Sequence, residues 1–225
     1  QSGTGVSITA TVDKVGTTAI APVSGTTSLT VSGQSLLVRL GTDNSVVSNK
    51  PDATTYSKTY SAFVTDSAGN PVVGTTVRFA LRPGHFQKGY YIAPTPFTSW
   101  VKAATPTECV NEDTNFNGIV DFAAEDTNGN GQLDPGGSAV VNASAVTDES
   151  GAAKAVLTYN QDHAYWAEMI LEARTGVVGN DPPAVATFYL PGAAVDYNNA
   201  SIAPPGQVSP FGAGIAPNNV CSNTR

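Results

Sequence analysis

Two short segments of the 225-residue sequence carry its clearest chemistry. Asp113-Thr-Asn115-Phe-Asn117-Gly118-Ile119-Val-Asp121 is followed, thirteen residues on, by Asp126-Thr-Asn128-Gly-Asn130-Gly131-Gln132-Leu-Asp134. The pattern D-x-N-x-N-G-x-x-D therefore occurs twice in register. Side-chain oxygens at loop positions 1, 3, 5 and 9 can converge on one hard cation. Glycine at position 6 permits the sharp turn, and the position-7 carbonyl, Ile119 or Gln132, adds a ligand. A cage of about six to eight oxygens suits Ca2+, whereas Mg2+ prefers fewer protein ligands and retained waters.

Such a loop ordinarily ends in a bidentate glutamate at position 12. Ala124 and Gly137 stand there instead. Glu125, with the Asp126 carboxylate shared between the sites, is the candidate to fill the gap in the first loop. The second is expected to bind weakly or to borrow Glu108 or Glu112. Asn, Asp and Gly are also ordinary turn formers, and a single copy of the motif would decide little. The duplication and the local charge favour a cation.

Between Glu108 and Asp134 lie seven acids and no Lys or Arg, while the whole chain has 18 acidic and 11 basic residues. Removing those seven leaves 11 against 11, so the entire net charge of −7 belongs to this segment. Without a cation these carboxylates repel one another, and the segment is expected to be disordered. No basic stripe exists to neutralise phosphates, which argues against a nucleic-acid partner.

The elements that must position these loops read as strands. Tyr60, Ala62 and Val64 alternate with Thr59, Ser61 and Thr65; Val77, Phe79 and Leu81 alternate with Thr76, Arg78 and Arg82 before Pro83-Gly84, which is expected to close that strand. Ala153, Ala155, Leu157 and Tyr159 form another alternating set. So do Ala167, Met169, Leu171 and Ala173, and a last strand is predicted near Ala184–Leu190. The period-2 pattern suits 165–174 better than a helix. Val6–Val12, Ser28–Val31 and Leu36–Leu40 are further strand candidates. Strands at this spacing, joined by Gly, Asn, Asp and Pro turns, predict an all-β sandwich. The 40% hydrophobic fraction suffices for a core but contains no run of the length a membrane helix needs.

Phe63-Val-Thr-Asp-Ser-Ala-Gly-Asn-Pro-Val-Val-Gly-Thr-Thr-Val-Arg-Phe79 and Val146-Thr-Asp-Glu-Ser-Gly-Ala-Ala-Lys-Ala-Val-Leu157 resemble the bacterial immunoglobulin-like domains of the invasin and intimin type. The resemblance covers roughly residues 55–190 and departs from the family in a long insertion, about residues 85–138. It implies an immunoglobulin-like β-sandwich, surface exposure, tandem stacking and adhesion, with no catalytic residues. The loop pair resembles EF-hand, dockerin and thrombospondin type 3 calcium loops, most closely the last because of the thirteen-residue repeat.

Three parts are thus expected: residues 1–54 as extended strands forming a sheet edge, a partial second domain or an assembly arm; 55–190 as the sandwich with its calcium-binding insertion; and 191–225 as a Pro/Gly-rich tail anchored by Cys221. Cys109 and Cys221 lack CxxC spacing. A long-range disulfide, implying an oxidising compartment, is the favoured reading over two buried thiols. Opening on Gln1, the chain is expected to have lost a leader or to have been trimmed.

His85 and His163 lie in turn-like contexts and read as surface or hydrogen-bonded loop residues, and no GxSxG, HExxH or phosphate-cradling motif occurs. No enzyme is expected. Phe86, Tyr90, Tyr91, Phe97 and Trp100, with Tyr165 and Trp166, read as core of the insertion before they read as a sugar-stacking platform. Asn142-Ala-Ser144 and Asn199-Ala-Ser201 match the glycosylation sequon, a weak signal in a bacterial protein. The expected function is a secreted or cell-surface, calcium-stabilised structural or adhesive module, as an adhesin domain or a self-assembling filament subunit. The alternative is a carbohydrate-binding module. Expected partners are other copies of the chain, neighbouring surface domains, or a host or glycan ligand, with no membrane span.

Overall fold

The computed structural model describes residues 6–29, 36–103, 105–121, 125–176, 182–216 and 219–223. In chain order the strands are β1 (Val6–Val15), β2 (Thr18–Leu29), β3 (Leu37–Thr42), β4 (Val47–Ser48), β5 (Thr55–Thr65), β6 (Thr76–Lys88), β7 (Tyr91–Ile92), β8 (Val101–Lys102), β9 (Thr107–Val110), β10 (Ala139–Val141), β11 (Ser144–Val146), β12 (Ala152–Asn160), β13 (Ala167–Thr175) and β14 (Ala184–Tyr189). The protein is all-β, as its alternating pattern requires.

Two antiparallel sheets share one core. The first runs β10-β12-β5-β3, with β4 also on β5; the second runs β11-β6-β13-β14, with β9 on the far part of β6. Period-2 alternation puts Ala62, Val64, Ala155 and Leu157 inward from the first sheet and Val77, Met169, Leu171 and Ala173 inward from the second, all buried. Tyr60 stacks on Phe188 across the gap, with ring centroids 4.6 Å apart. The chain changes sheets between β10 and β11, where Asn142 Nδ2 donates to the carbonyls of Ser144 (3.0 Å) and Lys154 (3.1 Å) and its Oδ1 accepts from Val156 N (2.6 Å). The first sequon asparagine is therefore a staple of the fold.

The two turns that carry the immunoglobulin-like resemblance are built alike. Asp66 Oδ1 accepts from the backbone N–H groups of Ala68 and Asn70, and Asp148 Oδ1 from those of Ser150 and Ala152. Such Asx turns let a short side chain replace a backbone acceptor.

Pro83-Gly84 does not close its strand. β6 continues to Lys88, and its register against β13 slips between Ala167 and Met169, which face Phe86 and Pro83. A bulge there tolerates the missing proline N–H and re-aims the strand. Beyond it, His85–Lys88 pair with Val110–Thr107 of β9, so the bulge feeds the base of the acidic segment.

Among the described residues β1 and β2 pair only with each other, as a two-stranded sheet in which Val12 faces Val23. Both valines are exposed, at 51% and 67%. Part of the Ser28–Val31 expectation falls on residues outside those described. Leu36–Leu40 is realised as β3, which pairs with β5.

The C-terminal tail is irregular but packed. Phe211 is buried against Phe86, Tyr90 bridges to Val208, and Lys88 Nζ donates to the carbonyls of Val220 (2.9 Å) and Asn223 (2.6 Å). Cys109 and Cys221 form a disulfide across 112 residues of sequence. Among the described residues no helix is long and apolar enough to cross a membrane.

Candidate metal centre

The two acidic loops adopt the same local geometry. In the first, Asp113 Oδ1 accepts from Asn117 N at 3.1 Å and Oδ2 from Gly118 N at 2.9 Å; in the second, Asp126 accepts from Asn130 N at 2.9 Å and Gly131 N at 2.8 Å. Asn115 and Asn117 accept from the N–H groups two residues on, and Asn128 and Asn130 do likewise, at 2.8–3.0 Å. Gly118 (φ 75°) and Gly131 (φ 79°) occupy left-handed backbone that a residue with a Cβ adopts only at a cost. This is why glycine stands at the sixth position of each loop.

The ninth-position carboxylates close the loops. Asp121 accepts from Asn117 Nδ2 (2.8 Å) and Asn115 Nδ2 (3.2 Å), and Asp134 from Asn128 Nδ2 (2.8 Å) and Asn130 Nδ2 (3.3 Å). Hydrogen bonds, led by that from Asn117, pull the Asp121 carboxyl below its ordinary range. Burial pushes Asp134 up despite its two amide donors.

Each loop also receives the glutamate that precedes the other. Glu125 Oε1 accepts from Thr114 Oγ1 at 3.0 Å, and its Oε2 lies 3.5 Å from Asp121 N. Reciprocally, Glu112 accepts from Asn128 N at 3.3 Å and Asp134 N at 3.0 Å. Glu125, the glutamate expected to complete the first loop, thus lies against that loop. Of the two acids considered for the second loop, the structure brings up Glu112. Glu108 instead accepts from Tyr189 OH (2.6 Å) and Gln87 Nε2 (3.2 Å), which lower its pKa. The signal for Glu112 was present in the repeat, which begins one residue earlier than the motif: Glu112-Asp-Thr-Asn115 matches Glu125-Asp-Thr-Asn128.

Burial makes this arrangement demanding. Glu112, Asp113 and Glu125 are 3%, 6% and 0% exposed. Among the described residues no Lys, Arg or His lies within ion-pair distance of any carboxylate of either loop, although the fields of Lys88 and His163 reach Asp134. Burial, the largest influence on Glu112, raises its pKa. Buried carboxylates without a cationic partner are strongly unfavourable. Among the described residues no three His, Cys, Asp or Glu side chains form a ready-made metal cluster. Each loop offers oxygen from two Asn side chains, to which the spacing adds the carbonyl of Ile119 or Gln132, and an amide oxygen that accepts one hydrogen bond keeps a second lone pair. That donor set, all oxygen and net anionic, fits a hard divalent ion such as Ca2+ and gives a soft metal no sulfur or imidazole.

The loops are tied to the sandwich at several points. Glu112 N donates to Asp134 O (2.8 Å), Asn111 N to Gly84 O (2.9 Å), and the Arg82 guanidinium lies 5.1 Å from the Phe116 ring centroid.

The other candidate groups resolve as follows. His85 Nδ1 and His163 Nδ1 each lie 2.7 Å from a carboxylate, that of Glu168 and Asp162, and His85 belongs to strand β6, not to a turn. Phe86, Tyr91 and Trp166 are buried core, while Tyr90, Phe97, Trp100 and Tyr165 are half-buried. Asn199 Oδ1 accepts from Ser201 N (2.9 Å) in a local turn. No family model, curated protein or solved structure matches this chain.

Proposed function

We propose that this protein is an extracellular, calcium-stabilised module of immunoglobulin-like type, serving a structural or adhesive role on a bacterial surface as an adhesin domain or a self-assembling filament subunit. The observation that carries the reading is the burial of Glu112, Asp113 and Glu125 in two geometrically equivalent loops with no basic partner among the described residues. Asp113, Asn115, Asn117, Ile119 and Asp121 with Glu125 are the proposed ligands of one ion. Asp126, Asn128, Asn130, Gln132 and Asp134 with Glu112 are those of the other. A bound ion supplies the positive charge these carboxylates lack and locks the insertion onto β6 and β9.

The Cys109–Cys221 disulfide supports an oxidising compartment. The β1–β2 hairpin supports assembly, because a lone two-stranded sheet is marginal in water until something covers it. The test is thermal melting with calcium and with excess chelator. Binding only the folded state at about 100 times the dissociation constant adds about 2.7 kcal/mol per site, so chelator should lower the melting temperature. Identical melts in both solutions would exclude the calcium reading.

A further inference from the structure

A cleft lies where the insertion meets β14 and the C-terminal tail. The half-buried Trp100, Tyr165 and Tyr189, with the buried Tyr91 and Tyr197 behind them, line this cleft of about 690 Å³, within the range of about 300–1,000 Å³ typical of small-molecule sites. Four separate parts of the chain supply these rings, the paired β7 and β8 giving both Tyr91 and Trp100. Trp100 and Lys102 flank Val101 in β8, Tyr189 ends β14, Tyr165 precedes β13, and Tyr197 follows the short 3-10 turn Ala194–Asp196.

The walls are held in place. Trp100 Nε1 donates to the carbonyls of Asn199 (2.9 Å) and Ile202 (3.0 Å), and Tyr165 packs edge-on against Tyr197 at 5.2 Å. A cleft whose rings are already fixed loses little freedom when a ligand enters.

One cation belongs to this aromatic surface. Lys102 Nζ donates to Gln87 Oε1 and to the Tyr165 carbonyl, both at 2.6 Å, and lies 4.4 Å from the Trp166 ring centroid and 5.7 Å from that of Tyr189. The ammonium is thus held by two neutral oxygens and the Trp166 face, and no carboxylate lies within ion-pair distance, among the described residues. Glu108 is the acid whose field reaches it, but that carboxylate is engaged by Tyr189 and Gln87. Burial outweighs this field and lowers the Lys102 pKa to about 8, so the amine is mostly charged at neutral pH.

Aromatic walls favour a ligand with an apolar ring face. A partly desolvated ammonium favours a carboxylate on that ring. Ser99 and Asn198, also in the lining, suit a ligand with hydroxyl groups. We propose that this cleft binds an acidic sugar, a pyranose ring bearing a carboxylate, with the ring against the aromatic walls and the carboxylate on Lys102. The site is separate from the calcium loops and does not depend on the reading given to them.

The chain provides its own reporter, since its two tryptophans are Trp100 in the wall and Trp166 beneath Lys102. The full chain, with calcium present, is titrated with glucuronate, galacturonate, glucose and benzoate by tryptophan fluorescence and calorimetry. A charge-assisted hydrogen bond predicts that at least one acidic sugar binds about tenfold to hundredfold more tightly than glucose. Lys102→Met should reduce the acidic sugar to the level of glucose, while Lys102→Arg retains part of the preference. Near-UV circular dichroism checks that the Met variant is folded. Should it be unfolded, the Arg variant and the salt dependence of the wild type decide, with salt expected to weaken acidic-sugar binding and leave glucose unchanged. Four results would overturn the proposal: no saturable signal with either acidic sugar, glucose or benzoate binding as tightly as the acids, a folded Met variant that keeps the preference, or acidic-sugar binding insensitive to salt.

Discussion

Replacing Glu112 by Gln separates the two roles of that side chain. Without calcium, Glu112 is a buried carboxylate whose charge is disfavoured by desolvation, so removing the charge relieves the apo protein. Against this, Glu112 accepts from both Asn128 N and Asp134 N. A Gln amide has one acceptor oxygen for the two, and a lost bond of this kind is worth about 1 kcal/mol. The two effects oppose each other, and the apo melting temperature should move little. With calcium, a missing carboxylate should weaken the second site by about tenfold to hundredfold, as changes around metal ligands typically do. At a calcium concentration of about 100 times the wild-type dissociation constant, stabilisation by that site falls from about 2.7 kcal/mol to between about 1.4 and 0.4 kcal/mol. For a domain of this size, the loss corresponds to about 3–9 °C of the calcium-induced rise in melting temperature. The assay is differential scanning calorimetry of wild type, Glu112→Gln and Glu125→Gln, each with calcium and with chelator. Equal calcium-induced rises in all three proteins would refute the placement of these glutamates at the sites. So would an apo destabilisation larger than the loss seen with calcium.

Three further outcomes are expected. Reducing the Cys109–Cys221 disulfide, or replacing both cysteines by Ser, should destabilise the protein by up to about 4–5 kcal/mol, because the bond closes a loop of more than 100 residues; denaturant titration with and without reductant measures this. In saturating calcium, stability should rise between about pH 8 and pH 10. The folded state lowers the Lys102 pKa to about 8, so its contribution is complete above the ordinary lysine value of about 10.4 and lost as pH falls through 8. Above about pH 10 the trend should reverse, because burial raises Tyr60, Tyr91 and Tyr159 above their ordinary range and the unfolded chain then ionises first. Melting curves across this range, with Lys102→Met expected to flatten the rising limb, provide the check. Deleting residues 1–30 should leave the melting temperature of the sandwich unchanged, since among the described residues β1 and β2 pair only with each other, while abolishing self-association; sedimentation reads the second effect, and a destabilised monomer would count against it.

Much of this protein is determined locally. Alternation alone places Tyr60, Ala62 and Val64, and Ala167, Met169, Leu171 and Ala173, on buried faces, because a strand has only two faces and a sandwich buries one. The spacing of Asp113, Asn117 and Gly118 likewise determines the loop, since an Asp carboxylate bonding N–H groups four and five residues on needs nothing from the rest of the chain.

Other features exist only once distant segments meet. Pro83-Gly84 reads as a strand end until β13 and β9 supply partners on both sides of a bulge. The second-loop glutamate is Glu112, 22 residues before Asp134, and only the folding of one loop beside the other selects it over Glu108. Aromatic composition cannot separate core from cleft. Trp166 is covered by Lys102 and sealed, while Trp100 is left half-exposed by carbonyls from a tail almost 100 residues away. Residue type and spacing determine what a side chain can bond to. Whether it is buried, and beside which partner, is set by contacts between segments far apart in the sequence, and those depend on how the whole chain packs.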